Sequence, residues 1–203
     1  MIGYPVAYFI AQCKPTTQRF LEMLIMLPMC MSFLLRTLAW VAMLEDTGIF
    51  NSLLKSIGLS PLPLIRTNGA VILGMVYNYL PFMILPIYSV IVKLDHSLIE
   101  AARDLGANSV QVFRRVILPL SLPGVLSGIT MVFVPSVSTF AISKMLGGGT
   151  EMLLGDLIEQ QYMGGAYNPY LGAAISLVMM VIVVICMVVM NRFGEGEEQA
   201  VMM

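Results

Sequence analysis

The chain has 203 residues, of which 58% are hydrophobic and 11% are charged, and its formal net charge is −1. Soluble domains carry about 25% charged residues, so the charged fraction here is less than half of the usual one. The mean hydropathy of +0.87 agrees with this, and both values indicate a protein solvated by lipid. The near-neutral charge excludes an electrostatic nucleic-acid binder, and the apolar composition excludes a disordered chain. Three cysteines far apart in the sequence exclude a disulfide framework, and the single histidine, His96, cannot form a metal site alone.

Four apolar runs are long enough to cross a bilayer as helices, which takes about 20 residues each. They are residues 23–44, 70–92, 120–142 and 171–190. Only the first of them contains a charged residue, Arg36. A fifth stretch, residues 1–12, is about half a span long and looks like the second half of a helix whose beginning is missing. Because β-barrel strands would alternate in short segments, the pattern predicts an all-α, polytopic membrane bundle of about five spans.

The connections between these spans differ in their lysine and arginine content, which orients the chain. Residues 13–22 contain Lys14 and Arg19, and residues 93–119 contain four basic residues, so both connections are predicted to be cytoplasmic. Residues 45–69 offset their basic residues with acidic ones, and residues 143–170 are mainly acidic, so both are predicted to lie outside. The sequence therefore predicts a multi-pass protein of the cytoplasmic membrane.

The second cytoplasmic connection contains the patterned stretch EAARDLGANSVQVFRRVILP, residues 100–119. Ser97 followed by Glu100 predicts a capping box that begins a first helix, and Gly106 predicts its left-handed C-terminal cap. Asn108, with a glutamine three residues later, predicts the cap of a second helix. From the residues alone, this pair of helices fits equally well an amphipathic hairpin on lipid headgroups and a docking surface for another protein.

The same stretch resembles the EAA loop of ABC-importer permeases, whose pattern is EAA, three residues, Gly, nine residues, then Ile-x-Leu-Pro. The residues at the positions of this pattern are Glu100, Ala101, Ala102, Gly106, Val116, Leu118 and Pro119, with valine at position 116 where isoleucine is usual. The resemblance extends over nearly the whole chain, through segments such as LLRTLAW and FVPSVSTFAISKMLGGG, to spermidine/putrescine permeases of the PotB type. In that family the loop docks into a groove on the ATP-hydrolysing subunit.

The resemblance implies a polyamine-carrying permease subunit of a bacterial ABC importer in the inner membrane. It implies three kinds of partner: a second permease subunit, a dimer of ATPase subunits that bind ATP-Mg, and an external substrate-binding protein. It also implies that the first one and a half of about six spans are missing. The chain itself is expected to bind no cofactor and to be no enzyme, because the glycine-rich GGGTE at residues 147–151 lacks the lysine of a phosphate loop.

Three alternatives remain open at this point. An importer of another small solute, such as iron or an anion, is favoured by the positive charges of Arg36 and Lys144. A secondary transporter would carry ionisable groups near the midplane and would need no docking loop. A membrane assembly factor would move no solute. The EAA-like loop argues against the last two.

Polar and aromatic side chains within two of the spans form a candidate translocation path. They are Tyr77, Asn78, Ser136, Thr139 and Phe140. Aromatic faces beside hydroxyl and amide groups suit a cationic amine, but small polar residues also serve simply to let helices pack closely.

Charged residues at the outer side have two interpretations. Glu151, Asp156 and Glu159 form a candidate acidic surface that attracts cations or receives the binding protein, although a solvated loop face explains them equally well. Arg36 would repel a polycation from the path, so we expect it to pair with Glu45, with Asp46 or with the partner subunit.

Overall fold

The computed structural model describes residues 2–149, 152–165 and 167–201, which form twelve α-helices and no strand. The helices are α1 (Gly3–Ala11), α2 (Pro15–Met26), α3 (Phe33–Leu44), α4 (Ile49–Ser56), α5 (Asn68–Val92), α6 (His96–Asp104), α7 (Ser109–Val112), α8 (Leu118–Leu120), α9 (Leu122–Ser138), α10 (Ala141–Gly147), α11 (Leu154–Met163) and α12 (Pro169–Val201). A 3-10 turn, Leu27–Cys30, follows α2, and a π-helical turn, Phe113–Ile117, joins α7 to α8. The predicted all-α class is confirmed.

Two helices in the described residues are each long and apolar enough to cross a membrane, α5 and the Pro169–Met190 part of α12. Two broken helix pairs pass the same test together, so that up to four spans are present. The first pair runs from α2 to α4 and the second from α7 to α9. The apolar side chains of α12 face away from this chain, as shown by Leu177 and Val188, which are 60% and 61% exposed.

The run at residues 23–44 differs from the uninterrupted helix that its hydropathy predicts. It contains the end of α2, the 3-10 turn, a break at Met31 and Ser32, and then α3. Pro28 has no N–H to donate and its ring collides with the preceding turn. Pro28 therefore lies at the start of the 3-10 turn, and the chain re-enters the α-helical path at Phe33.

The run at residues 120–142 is also interrupted. Its helix, α9, begins after a bend of 57° near Ser121 and ends at Ser138, so that Thr139 and Phe140 are not helical. The hydroxyl of Tyr79 donates a hydrogen bond of 3.1 Å to the carbonyl of Pro135. This bond occupies the acceptor that residue 139 would use in a continued helix.

The chain divides into two compact units. The first contains residues 1–25, 80–133 and 184–203. Its core is formed where Ala7 and Ile10 of α1 meet Ile84, Ile87 and Ile91 of α5. The α9 glycines let this helix approach α5 closely, because a Cβ on Gly124 would lie 2.9 Å from the Pro86 carbonyl oxygen.

The second unit contains residues 26–79 and 134–183. The fully buried Ile142 and Leu146 of α10 pack against Gly74 of α5. Asn51 of α4 is also fully buried and fastens the connection that follows it, donating 3.0 Å to the Leu62 carbonyl and accepting 2.9 Å from the Leu62 N–H. A single amide side chain thereby fixes the predicted outer segment against its own helix.

Candidate functional site

The helix α6 begins at an aspartate that the sequence analysis did not identify. Asp95 is the N-cap residue, and its carboxylate accepts a hydrogen bond of 2.9 Å from the backbone N–H of Ser97. The predicted capping box of Ser97 with Glu100 is therefore wrong. Asp95 stands two residues earlier and is an equally good cap, so the helix already includes Ser97 in its first turn.

The end of α6 has the predicted left-handed glycine cap. Gly106 has φ +80°, and its N–H donates 2.8 Å to the Arg103 carbonyl. The N–H of Ala107 donates 3.1 Å to the Ala102 carbonyl. These two bonds define a Schellman motif, which requires a residue that tolerates positive φ at this position. The prediction for Gly106 is confirmed.

The second helix of the loop begins with the predicted reciprocal cap. The Asn108 side chain accepts 2.8 Å from the Gln111 N–H, and the Gln111 side chain accepts 2.9 Å from the Asn108 N–H. Both ends of the short connection between α6 and α7 are therefore fixed by hydrogen bonds. The loop is a defined pair of helices and not an irregular segment.

The π-helical turn that follows α7 connects the loop to the rest of the first unit. The Phe113 ring lies edge-on to the rings of Tyr4 and Tyr8, with centroid distances of 5.8 and 5.1 Å. The Tyr4 hydroxyl is also hydrogen-bonded at 2.7 Å to the hydroxyl of Ser121, the residue at the bend before α9. Sequence reasoning missed this cluster, because its aromatic residues were counted only as parts of apolar stretches.

The predicted docking residues of the loop lie largely on its surface. Glu100, Ala101, Gly106 and Pro119 are exposed, and Ala102, Val116 and Leu118 are half-buried. Beside them, three apolar side chains are not covered by this chain: Leu98, Leu105 and Val110 are 48%, 89% and 70% exposed. The loop therefore presents an apolar surface together with the EAA-like pattern.

The candidate path residues of α5 have different surroundings. Asn78 is buried, and its amide donates 2.9 Å to the Gly74 carbonyl, whereas its Oδ1 has no partner among the described residues. The Tyr77 ring is 36% exposed and packs edge-on against Trp40 at 5.3 Å. Asn78 thus faces the interior of the unit, and Tyr77 reaches its surface.

The remaining candidate path residues lie at the end of α9. Thr139 is buried, and its backbone is approached by Gly155 of α11. Phe140 is 44% exposed, and Ser136 is half-buried. Thr139 thus faces the interior of the unit and Phe140 its surface, and their assignment to a translocation path stays a prediction.

Two of the three predicted surface acids have partners within the chain, and the third, Glu151, lies outside the described residues. Asp156 accepts hydrogen bonds of 2.7 and 2.6 Å from the Ser143 hydroxyl and 3.0 Å from the Leu153 N–H. Glu159 forms an ion pair of 2.7 Å with Lys144. Sequence reasoning could not pair them, because the partners are 13 and 15 residues apart in the chain.

Arg36 is 9% exposed, and its Nε and Nη1 have no hydrogen-bond partner among the described residues. Glu45 and Asp46 are exposed beyond the end of α3. Glu45 follows Arg36 by nine residues, and since a helix rises about 1.5 Å per residue, the two acids start about 13 Å further along the axis, which is beyond the reach of the guanidinium. The expected pairing with these two acids is therefore not formed, and pairing with a partner subunit stays a prediction.

Comparison with known proteins agrees with this architecture. Residues 3–195 match the family described as binding-protein-dependent transport system inner membrane component. The chain is 39% identical over 197 residues to the spermidine/putrescine transport system permease protein PotB of Haemophilus influenzae, covering 96% of this chain and 68% of that protein. It is 36% identical over 194 residues to PotB of Escherichia coli, covering 95% and 70%.

Solved structures show the same fold. A bacterial alginate ABC transporter in complex with an alginate pentasaccharide-bound periplasmic protein has a TM-score of 0.77 at 18% identity, covering 94% of this chain and 69% of that one. The MetNI methionine ABC transporter has a TM-score of 0.67 at 20% identity, covering 97% and 86%.

The chain thus belongs to the family of ABC-importer inner membrane permeases, and PotB-type permeases are among its relatives. It is a multi-pass inner-membrane protein and a transport component, not an enzyme, since ATP hydrolysis in such importers lies in a separate subunit. The chain spans a little over two thirds of the length of the PotB proteins it matches.

Proposed function

We propose that the chain is the transmembrane subunit through which an ABC importer carries polyamines, spermidine and putrescine, across the inner membrane. The observation that carries this proposal is the identity of 36–39% to PotB proteins over 95–96% of the chain. The aromatic side chains Tyr77 and Phe140, which reach the surface of the second unit, supply faces that suit a cationic amine.

Three kinds of partner complete the proposed importer. A second permease subunit encloses the path, an external binding protein delivers the polyamine, and a dimer of ATPase subunits binds ATP-Mg. The exposed apolar side chains Leu98, Leu105 and Val110 support docking of the ATPase at the loop. Exposed apolar patches mark sites of interaction with proteins or with the membrane, and the EAA-like pattern beside these side chains favours a protein.

The contacts of Phe113 suggest how movement of the loop reaches the spans. Closure of the ATPases would displace α6 and α7, whose capped ends move as a rigid pair. The Phe113 ring would press on Tyr4 and Tyr8 of α1, while the Tyr4–Ser121 hydrogen bond ties α1 to the bend before α9. Packed elements with two discrete arrangements can transmit such a displacement to the path.

Import of a different solute, iron or an anion, is the second candidate. The specific observation in its favour is the buried Arg36, whose Nε and Nη1 have no hydrogen-bond partner among the described residues, because a buried positive charge attracts anions. Against it stand the PotB relatives.

Uptake of labelled spermidine tests the proposal. Cells deleted for the gene and its operon partners would be complemented with the partners alone, or with the partners and this chain. Energy-dependent uptake that requires this chain, and that excess unlabelled putrescine but not sulfate suppresses, is the expected result. Absent uptake from cells with confirmed insertion and ATPase association would move the cargo to another solute.

A further inference from the structure

The second unit contains a cavity of about 400 Å³ on its predicted outer side. It opens where the end of α9 meets α11 and α12. The residues that characterise its wall are Phe140, Ile158, Glu159, Tyr162, Met163 and Met179. The wall is mostly apolar and contains one carboxylate.

The carboxylate and the rings of this cavity form a combination that suits an alkylammonium ion. The Glu159 side chain is only 18% exposed, so its charge is partly withdrawn from water. Phe140 and Tyr162 are 44% and 42% exposed, so their rings are accessible to a ligand. An ammonium is held by a carboxylate and by the faces of aromatic rings, and the methylenes next to it favour apolar walls. Hard metal ions would need several oxygen ligands, which one carboxylate does not supply.

The chain already places an alkylammonium on this carboxylate. The Lys144 Nζ lies 2.7 Å from Glu159 Oε1. A lysine side chain is a primary ammonium on four methylenes, and putrescine is the same four-methylene chain with an ammonium at each end. Lys144 is itself 61% exposed. Because the lysine end of the pair lies in solvent, and because the carboxylate stays paired when another ammonium takes its place, the lysine can be exchanged at small cost.

The neighbouring acid has no such role. Asp156 is already bonded to the Ser143 hydroxyl and to the Leu153 N–H, which fix the start of α11. Glu159 is one turn further along α11 from Asp156, and its partner among the described residues is the flexible cation of Lys144. The two acids are thus distinct: one positions the helix, and the other carries an exchangeable ammonium.

We propose that Glu159, with Phe140 and Tyr162, forms an entry subsite for a terminal ammonium of the cargo, and that the cargo binds by displacing the Lys144 ammonium. This inference rests on the proposed function, because it identifies where a polyamine first contacts the permease. Lys144 then acts as a tethered competitor. Its presence near the path is no obstacle to cation transport, because it withdraws whenever the cargo takes its place.

The test is equilibrium binding of labelled spermidine to the assembled transporter in nanodiscs, without binding protein and at low salt. Glu159→Gln is expected to raise the Kd about tenfold, since a charge-assisted hydrogen bond is lost. Lys144→Gln is expected to lower the Kd at least about twofold, because the competitor is removed. Glu45→Gln, the same charge change at an exposed position of the other outer connection, is the matched control and should bind like the unmodified protein.

The opposite signs distinguish an amine site from a structural ion pair. If the pair only ties α10 to α11, the two substitutions break the same bond and must shift the Kd in the same direction, which would overturn the inference. Glu159→Asp keeps the charge and is expected to bind with intermediate affinity, which guards against a misfolded Glu159→Gln. Spermidine uptake by the unmodified protein tests the proposed function separately. If uptake is normal but both substitutions shift the Kd in the same direction, only the subsite is rejected. If uptake is absent, polyamine cargo itself is rejected.

Discussion

Replacing Gly106 with aspartate is expected to abolish transport while the protein still inserts into the membrane. Gly106 has φ +80°, and no atom beyond its chain neighbours lies within 4 Å of the position that a Cβ would take. The cost within the chain is therefore only the strain of a non-glycine residue in the left-handed region, about 1–2 kcal/mol. The larger loss arises at the proposed ATPase contact, where a new carboxylate would be buried without a partner.

Gly58 supplies a matched control for this experiment. It has φ +82°, has equally open space around its Cβ position, and lies in the predicted outer connection. Gly58→Asp therefore introduces the same strain and the same charge away from the ATPase. Spermidine uptake and the amount of membrane-inserted protein would be measured for both variants. We expect background uptake for Gly106→Asp and nearly full uptake for Gly58→Asp; equal uptake by the two would refute the docking argument.

Two other substitutions test contacts seen in the structure, and a third tests the predicted partner of Arg36. Phe113→Ala removes two edge-to-face ring contacts, worth about 1–3 kcal/mol together. It is expected to lower the amount of spermidine transported per ATP hydrolysed. An unchanged ratio would contradict transmission through the contacts of Phe113 with Tyr4 and Tyr8. Asn51→Ala leaves the Leu62 N–H and carbonyl without their partner and is expected to lower stability by about 2–4 kcal/mol, seen as a lower melting temperature than that of the unmodified protein; an unchanged melting temperature would show that these two groups do not depend on Asn51. Arg36→Met is expected to leave insertion unchanged and to weaken co-purification of the second permease subunit; undiminished co-purification would exclude an acceptor in that subunit.

Hydropathy predicts much of the helical architecture, but it does not predict where the apolar runs are interrupted. The run at residues 70–92 corresponds to the continuous helix α5, which passes through Pro81 and Pro86 without a break. Pro28, in contrast, lies in a 3-10 turn followed by a break. Proline alone therefore does not decide where a span is interrupted, and the outcome depends on which neighbours satisfy the freed carbonyls.

The end of α9 depends on a distant neighbour in a different way, because the carbonyl concerned is freed by the end of the helix and not by a proline. The Pro135 carbonyl is taken by the Tyr79 hydroxyl, 56 residues away in the sequence. Local patterns cannot indicate such a bond, because it exists only after α5 and α9 have packed together. For the same reason, the sequence could not predict the ion pair between Lys144 and Glu159. The candidate acidic surface was therefore predicted without the partner that neutralises Glu159.

Local capping signals were more informative in the loop. Gly106 and Asn108 were identified by residue type and spacing, and both have the predicted geometry. The error at Ser97 has a local cause, since Asp95 is another good N-cap only two residues earlier. In this loop, residue type and spacing therefore indicate that a cap is present, but they do not decide which of two nearby residues forms it.

The central claim is that this chain conducts polyamines when an attached ATPase hydrolyses ATP. The most direct measurement is accumulation of labelled spermidine in proteoliposomes that contain this chain with its partner permease and ATPase subunits, supplied with binding protein outside and ATP inside. We predict accumulation that needs ATP, the binding protein and this chain, and that the Gly106→Asp variant abolishes. ATP hydrolysis stimulated by the binding protein without any spermidine entering would contradict the account.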